Sequence, residues 1–308
     1  MLETKLQFEG IVISIKANYF IVEIQNNNSN SSIIETINSL TCKRYLCTLR
    51  KRLVYNGLNV NVGDYVKLQS IDSKNNRAVI NEVMKRKNLL LRPQVANVSD
   101  VFVVLSVEEP SLDYDQANRF LVTSEQTGAN ISLILSKIDL IEDNQLVEIQ
   151  NKLRDWGYEI FPISVYKFLG IDSLINKLYC SKLSVLCGPS GVGKSSLLNN
   201  LIPDRSIPIA TVSDKLKRGK HTTRNVELYS LDQGSLVADT PGFNRPSLDI
   251  KPLELGLLFP EIRFKILDSK CKFRNCLHRD EPGCCVDKSW GRYPLYREIL
   301  DELINSHL

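Results

Sequence analysis

Along the first 90 residues apolar and polar positions alternate in short bursts separated by turn-forming residues. Such bursts lie at Gly10–Lys16, Tyr19–Gln25, Tyr45–Leu49, Tyr65–Gln69 and Ala78–Val83, and each reads as a half-buried strand. Five short strands predict a small β-barrel over residues 1–88. It is expected to be of the OB type, although periodicity alone leaves an SH3-like barrel open. The low-complexity stretch Asn26–Ser32 reads as a loop between strands.

From Leu89 the pattern changes to continuous apolar runs alternating with helical stretches. Val101–Val107, Ile131–Ser136, Glu159–Ile163 and Leu183–Cys187 read as strands. Tyr114–Gly128, Asn144–Trp156, Leu174–Leu178 and Ser195–Leu201 read as helices. This alternation predicts a parallel sheet covered by helices over residues 89–247. Beyond residue 248 cysteines and charges take over, with a helical tail expected at Leu295–Leu303. The pattern predicts a multidomain α/β chain with parts at 1–88, 89–247 and 248–308. No membrane partner is expected, because the longest clean apolar run, Val101–Leu105, is far short of the roughly 18 residues a spanning helix needs.

Charge alters the picture in one place. The 308 residues carry 39 Lys and Arg against 35 Asp and Glu, a formal net charge of +4. The surplus lies at the front: 13 basic against 7 acidic residues in 1–90, then 16 against 18 in 91–247 and 10 against 10 in 248–308. A nucleic-acid partner is therefore sought first on the barrel, with a merely solvated basic surface the alternative. Met1–Lys5 has no apolar signal core, so the eight cysteines are expected in a reducing cytoplasmic or plastid-stromal compartment. Cys42, Cys47, Cys180 and Cys187 are scattered and read as thiols, whereas Cys271, Cys276, Cys284 and Cys285 crowd together at the density of a metal site.

Gly188-Pro189-Ser190-Gly191-Val192-Gly193-Lys194-Ser195, followed by Ser196, satisfies GxxxxGK[ST] between a predicted strand and a predicted helix. Glycines let backbone N–H groups wrap phosphates, and the helix N-terminus favours their charge. Lys194 would bridge the β- and γ-phosphates, and the Ser195 hydroxyl would meet Mg²⁺. Ser136-Lys137-Ile138-Asp139 reads as a variant of the guanine-specifying Asn-Lys-x-Asp turn at a strand end. The Asp139 carboxylate can accept from guanine N1–H and the 2-amino group, a pair that adenine lacks. Lys137 would lay its stem over the base, and Ser136 reaches less far than the usual Asn.

Asp239-Thr240-Pro241-Gly242 ends another apolar run, which would put Asp239 on Mg²⁺ through a water and the Gly242 N–H on the γ-phosphate. Phe243 follows where many GTPases place a water-orienting Gln, so slow intrinsic hydrolysis is expected, with His221 as the nearest catalytic candidate or else an exposed loop histidine. His221 sits in the basic segment Arg218–Arg224, where Thr222 or Thr223 could close on Mg²⁺. Order is the informative feature: the base-reading turn precedes the phosphate loop, with Ile163-Ser164-Val165 between them matching a base-contacting loop that normally comes last. The motif order predicts a circularly permuted GTPase domain. It also predicts that movement after Asp239 is passed down the chain through Arg245-Pro246 as a swing of the part that follows. In that part Cys271-x₄-Cys276-x-His278-x₅-Cys284 supplies three thiolates and an imidazole, a closed donor set for one structural Zn²⁺, with Cys285 an alternative to Cys284.

Taken together, the barrel, the Leu91-Arg92-Pro93 linker, the nucleotide motifs and the Cys/His cluster resemble the small-ribosomal-subunit-dependent GTPase A family of bacteria and plastids. The resemblance covers essentially the whole chain. It implies GTP/GDP and Mg²⁺ as ligands, slow hydrolysis quickened by the small ribosomal subunit, and a role in that subunit's late maturation. It also implies ribosomal RNA held by the barrel and zinc-binding part, a monomer, and Cys284 as the fourth zinc ligand. The chain departs from the family at Ser136 and in the Asn-rich insertion. The rival readings are a permuted GTPase of large-subunit assembly, a zinc-stabilised RNA-binding module with a vestigial nucleotide site, and a P-loop ATPase.

Overall fold

The structure is a computed structural model and describes residues 8–24, 44–55, 57–91, 93–202, 226–239, 246 and 248–306. Strands β1 (Phe8–Lys16), β2 (Tyr19–Ile24) and β3 (Arg44–Leu49) are followed by a short helix α1 (Lys51–Tyr55). Next come β4 (Tyr65–Asp72), β5 (Arg77–Val83), β6 (Leu89–Leu91) and β7 (Gln94–Ala96). The alternating region holds β8 (Asp100–Ser106), α2 (Tyr114–Glu125), β9 (Asn130–Ser136) and α3 (Asp143–Arg154). It continues through β10 (Glu159–Pro162), α4 (Ile171–Cys180), β11 (Leu183–Cys187) and α5 (Lys194–Leu201). The last elements are β12 (Glu227–Ser230), β13 (Leu236–Asp239), α6 (Pro260–Asp268) and α7 (Tyr293–Ser306).

Packing divides the chain into two compact units. The first holds the described residues within Met1–Ser99, Leu178–Val185 and Leu198–Gly242; the second holds those within Asp100–Lys177, Leu186–Leu197 and Phe243–Leu308. In the first unit β1 pairs with both β2 and β4, β2 with β3, β3 with β5 in parallel, and β5 with β4. The five strands therefore close in the order β1-β2-β3-β5-β4, an OB-type barrel and not an SH3-like one. Alternation along β4 turns Val66 and Leu68 inward, where they meet Val12, Val22, Tyr45, Cys47 and Ile80. A fully buried carboxylate, Asp64, is held at the barrel's edge by Arg86 through contacts of 2.7 and 2.8 Å. Past a bulge between Val12 and Ser14, β1 also pairs with β12 at Ser14↔Glu227. β12 is antiparallel to β13, and β13 runs parallel to β11. The segment around Leu91-Arg92-Pro93 is flanked by a small antiparallel pair, β6 with β7.

In the second unit β8, β9 and β10 form a parallel set in the order β10-β9-β8. All seven residues of β8 are buried, which is why its middle, Val101–Leu105, is a continuous apolar run and not an alternation. Helix α2 starts where the Asp113 carboxylate accepts the Gln116 N–H at 3.0 Å.

The cysteine-rich part is packed into this same unit. Val122 of α2 shares one core with Leu255, Phe259, Ile262, Tyr296, Ile299 and Leu300. At its centre the guanidinium of Arg292, 1% exposed, donates through Nε to Asn118 Oδ1 at 2.7 Å. Its charged carbon lies 4.5 Å from the Phe259 ring centroid and 4.8 Å from that of Trp156, and Nη1 is 3.5 Å from Glu261 Oε2. A free swing of residues after 248 would open this core and strand a buried charge, so the packing argues against the swing expected from chain order.

Candidate functional site

The phosphate loop begins where β11 ends, and its backbone explains its composition. Gly188 has φ +140°, and a Cβ there would lie 2.1 Å from the Val104 carbonyl oxygen, so no larger residue fits. Gly191 and Gly193, at φ +85° and +93°, turn the loop in the left-handed region. The Lys194 ammonium is folded back onto the loop, donating to Gly188 O at 2.7 Å and Pro189 O at 2.5 Å. Burial pulls its pKa below the ordinary lysine value, so this cation is desolvated and held by carbonyls that an anion can replace. Val192 is buried, whereas Ser190, Ser195 and Ser196 are exposed to varying degrees, the last two on the first turn of α5. The glycines make the cradle, and Lys194 supplies its charge. These residues fit a polyphosphate.

The candidate base-reading turn, Ser136–Asp139, sits at the carboxyl end of the parallel set, where β8 and β9 finish opposite each other at Ser106↔Ser136. Ser136 is buried, and its Oγ lies 2.6 Å from Val192 O and 3.2 Å from Leu105 O. A hydroxyl has one hydrogen, and the shorter contact takes it. Ser136 thus ties the base-reading turn directly to the phosphate loop. Lys137 adopts φ +61°, and its ammonium donates to Glu109 O. Ile138 and Asp139 open a 3₁₀ turn over Ile138–Leu140. The Ile138 N–H donates to Ile163 O at 3.3 Å, bringing the Ile163-Ser164-Val165 loop alongside. In that loop Ser164 is fully buried, exchanges backbone hydrogen bonds of 3.0 Å with Leu169, and accepts the Lys167 N–H at Oγ. Asp139 has no hydrogen-bond or ion-pair partner among the described residues, so its carboxylate is available to a ligand.

Asp239 is the last residue of β13, opposite Glu227 and one place beyond the Ala238↔Val185 pair with β11. His221, Thr222, Thr223 and Gly242 lie outside the described residues, as do Arg218–Lys220, Arg224, Thr240, Pro241, Phe243, Arg245 and Asn26–Ser32.

The cysteine cluster closes around one point. The donor atoms of Cys271, Cys276, His278 and Cys284 all lie within 4.8 Å of one another. His278 Nδ1 is 3.6, 3.7 and 3.5 Å from the sulfurs of Cys271, Cys276 and Cys284. A tetrahedron with Zn–N near 2.0 Å and Zn–S near 2.3 Å has an N···S edge of about 3.5 Å, so the four donors fit a zinc ion. Burial lowers the His278 pKa and keeps the imidazole neutral, the form that ligates. The ring packs so closely on Gly256 that a Cβ there would lie 2.9 Å from its Cδ2. The cluster is strapped to α7, whose Tyr293 hydroxyl lies 3.1 Å from both His278 O and Arg279 O, while Tyr296 OH donates to Leu277 O at 2.5 Å. Cys285 is not in the set; its sulfur faces Cys271.

Sequence reasoning missed the residues that hold these parts in place. The Arg292 anchor gives no local signal, because its burial depends on Asn118, Trp156 and Phe259 arriving from far along the chain. Pro110, whose Cδ would lie 3.5 Å from a Cβ on Gly191, and Glu109, which caps Lys137, come from the loop after β8 and belong to no motif.

A phosphate loop, a base-reading turn ahead of it in the chain and a parallel sheet define a circularly permuted P-loop GTPase. The RsgA GTPase family profile matches residues 83–249. The small ribosomal subunit biogenesis GTPase RsgA of Prochlorococcus marinus (strain NATL1A) is 51% identical over 302 residues, covering 98% of this chain and 96% of its own. The protein of the same name from strain MIT 9303 is 50% identical over 296 residues, covering 96% of this chain and 92% of its own. Among solved structures, YjeQ from Thermotoga maritima has a TM-score of 0.78 at 31% identity, covering 97% of this chain and 99% of that one. YloQ, described as a circularly permuted GTPase, has a TM-score of 0.76 at 32% identity, covering 99% and 98%. The chain belongs to the RsgA GTPase family and is a GTP hydrolase.

Proposed function

We propose that this GTPase turns over slowly alone and faster on the small ribosomal subunit, acting late in that subunit's maturation. One observation carries the reading: an intact phosphate loop joined to the base-reading turn through Ser136 and Val192. It occurs in a chain about half identical, over nearly its whole length, to proteins named small ribosomal subunit biogenesis GTPases. In this reading Gly188–Lys194, Ser195 and Ser196 bind the phosphates, with Lys194 released from its loop carbonyls to meet the β- and γ-oxygens. Ser195, and Asp239 through a water, with Thr222 or Thr223, would hold Mg²⁺, which would supply positive charge against the phosphates. Asp139 reads the guanine edge, Lys137 covers the base, and Ser136, Ile138 and Ser164 frame its pocket. The Gly242 N–H and His221 act at the γ-phosphate and its attacking water.

The barrel of residues 1–88 and the zinc-binding part of residues 248–308, which flank the GTPase domain of residues 89–247 in the sequence, hold ribosomal RNA. The surplus of basic residues in the first 90 supports RNA there. Cys271, Cys276, His278 and Cys284 hold one structural Zn²⁺. The protein works as a monomer in the cytoplasm, or in the plastid stroma if organellar; no described helix is long and apolar enough to cross a membrane. The test is phosphate release from GTP and from ATP by the wild-type chain and by Lys194→Ala. Turnover of GTP alone, lost in the variant, supports the site assignment. Equal turnover of both nucleotides would remove Asp139 from the role given to it.

A further inference from the structure

Cys285 is the sulfur that the zinc reading leaves over. It is half-buried, outside the four-donor set, and its Sγ lies 3.3 Å from the Sγ of Cys271. Its backbone N–H also points at that sulfur, 3.5 Å away, and its own thiol donates to Ser269 O at 3.6 Å. All seven described cysteines are free thiols. A disulfide needs a sulfur separation of about 2.0 Å, so closing this pair requires a movement of little more than an ångström between two loop residues. No other sulfur outside the donor set lies against one of its members among the described residues.

We propose that Cys271 and Cys285 form a peroxide-responsive thiol pair whose oxidation withdraws Cys271 from the metal-binding set. The proposal rests on the zinc reading of the cluster. Cys285, which carries no metal, reacts first: its sulfur takes one oxygen from hydrogen peroxide, giving a sulfenic acid and one water. The Cys271 sulfur then attacks the Cys285 sulfur. The S–S bond forms, the S–O bond breaks, and the departing hydroxide takes up a proton to become the second water. The two thiols have lost two electrons to the peroxide. With three donors left the site is incomplete, and the loop strapped to α7 by Tyr293 and Tyr296 loses its staple. A dithiol reductant with added zinc reverses the change.

The experiment uses the full-length, zinc-loaded chain and Cys285→Ala, which removes no metal ligand. Both are treated with hydrogen peroxide while a chromophoric chelator reports free zinc, and the products are mapped by mass spectrometry under non-reducing conditions. The expected result is a 271–285 link in the wild type with zinc released several-fold faster than from Cys285→Ala, and zinc uptake restored by dithiothreitol. Equal release from the two proteins, or a link that joins other cysteines, would overturn the pair while leaving the zinc reading intact. A freshly reduced chain that binds no zinc would overturn the zinc reading itself and the release with it.

Discussion

Ser136→Ala deletes a single hydroxyl at the point where the base-reading turn touches the phosphate loop. The bond to Val192 O is 2.6 Å long, and both residues are buried, at 4% and 1% exposure, so water does not replace it. Losing such a bond costs about 0.5–1.5 kcal/mol, rising to about 1–3 kcal/mol where the carbonyl is left unmet. The bond joins the two segments proposed to bind the nucleotide, so its loss should fall on the population in which both are set for it, and binding must restore that arrangement. At about 1.4 kcal/mol per decade the upper range corresponds to GDP affinity weakened by roughly 5- to 150-fold. Calorimetric titration of the nucleotide-free chain with GDP and Mg²⁺ measures this, with thermal unfolding as the control for the fold. An affinity within roughly twofold of wild type, under about 0.5 kcal/mol, would refute the tie as a binding device.

Further outcomes follow from the same geometry. Gly188→Ala places a Cβ 2.1 Å from Val104 O and should abolish GDP binding in the same titration while the zinc content stays stoichiometric. Arg292→Met leaves the Glu261 carboxylate buried without its counter-ion and should lower stability by about 3–5 kcal/mol in urea unfolding. Adding Glu261→Gln should recover part of that loss. Cys276→Ser should lose zinc and melt at lower temperature, each kcal/mol counting for about 2–4 °C in a chain of this size or less. A strong chelator should bring the wild type to the same melting point and leave the variant unmoved.

What could be read in advance was what local chemistry dictates. Leu183–Cys187 and the loop after it were legible because a buried strand followed by a phosphate cradle needs apolar residues and then glycines, and those needs are met within a dozen positions. The Cys/His cluster was legible for the same reason, although the choice of Cys284 over Cys285 needed family spacing before the donor distances favoured it. The barrel type was not, since OB and SH3-like forms differ in which distant strands pair, and here the β3–β5 and β1–β4 pairings decide it. Helix α6 has no legible face: Pro260 and Ile262 are buried while Phe264 and Leu267 are exposed, so its apolar residues fall on both sides. Nothing beside Arg292 in the sequence marks it as buried, and only the aromatic rings around it, drawn from Trp156 and Phe259, reveal an anchor. The expected swing of the cysteine-rich part followed from chain order, which carries no information about the core it shares with Val122 of α2.

Above all, the small ribosomal subunit should switch this GTPase on. Phosphate release from GTP, measured while purified small subunits are titrated in and again with large subunits, tests it most directly. The expected result is slow release alone and a saturating rise of roughly tenfold or more, at least about 1.4 kcal/mol off the barrier, with small subunits only. No rise with small subunits, or an equal rise with large ones, would contradict it.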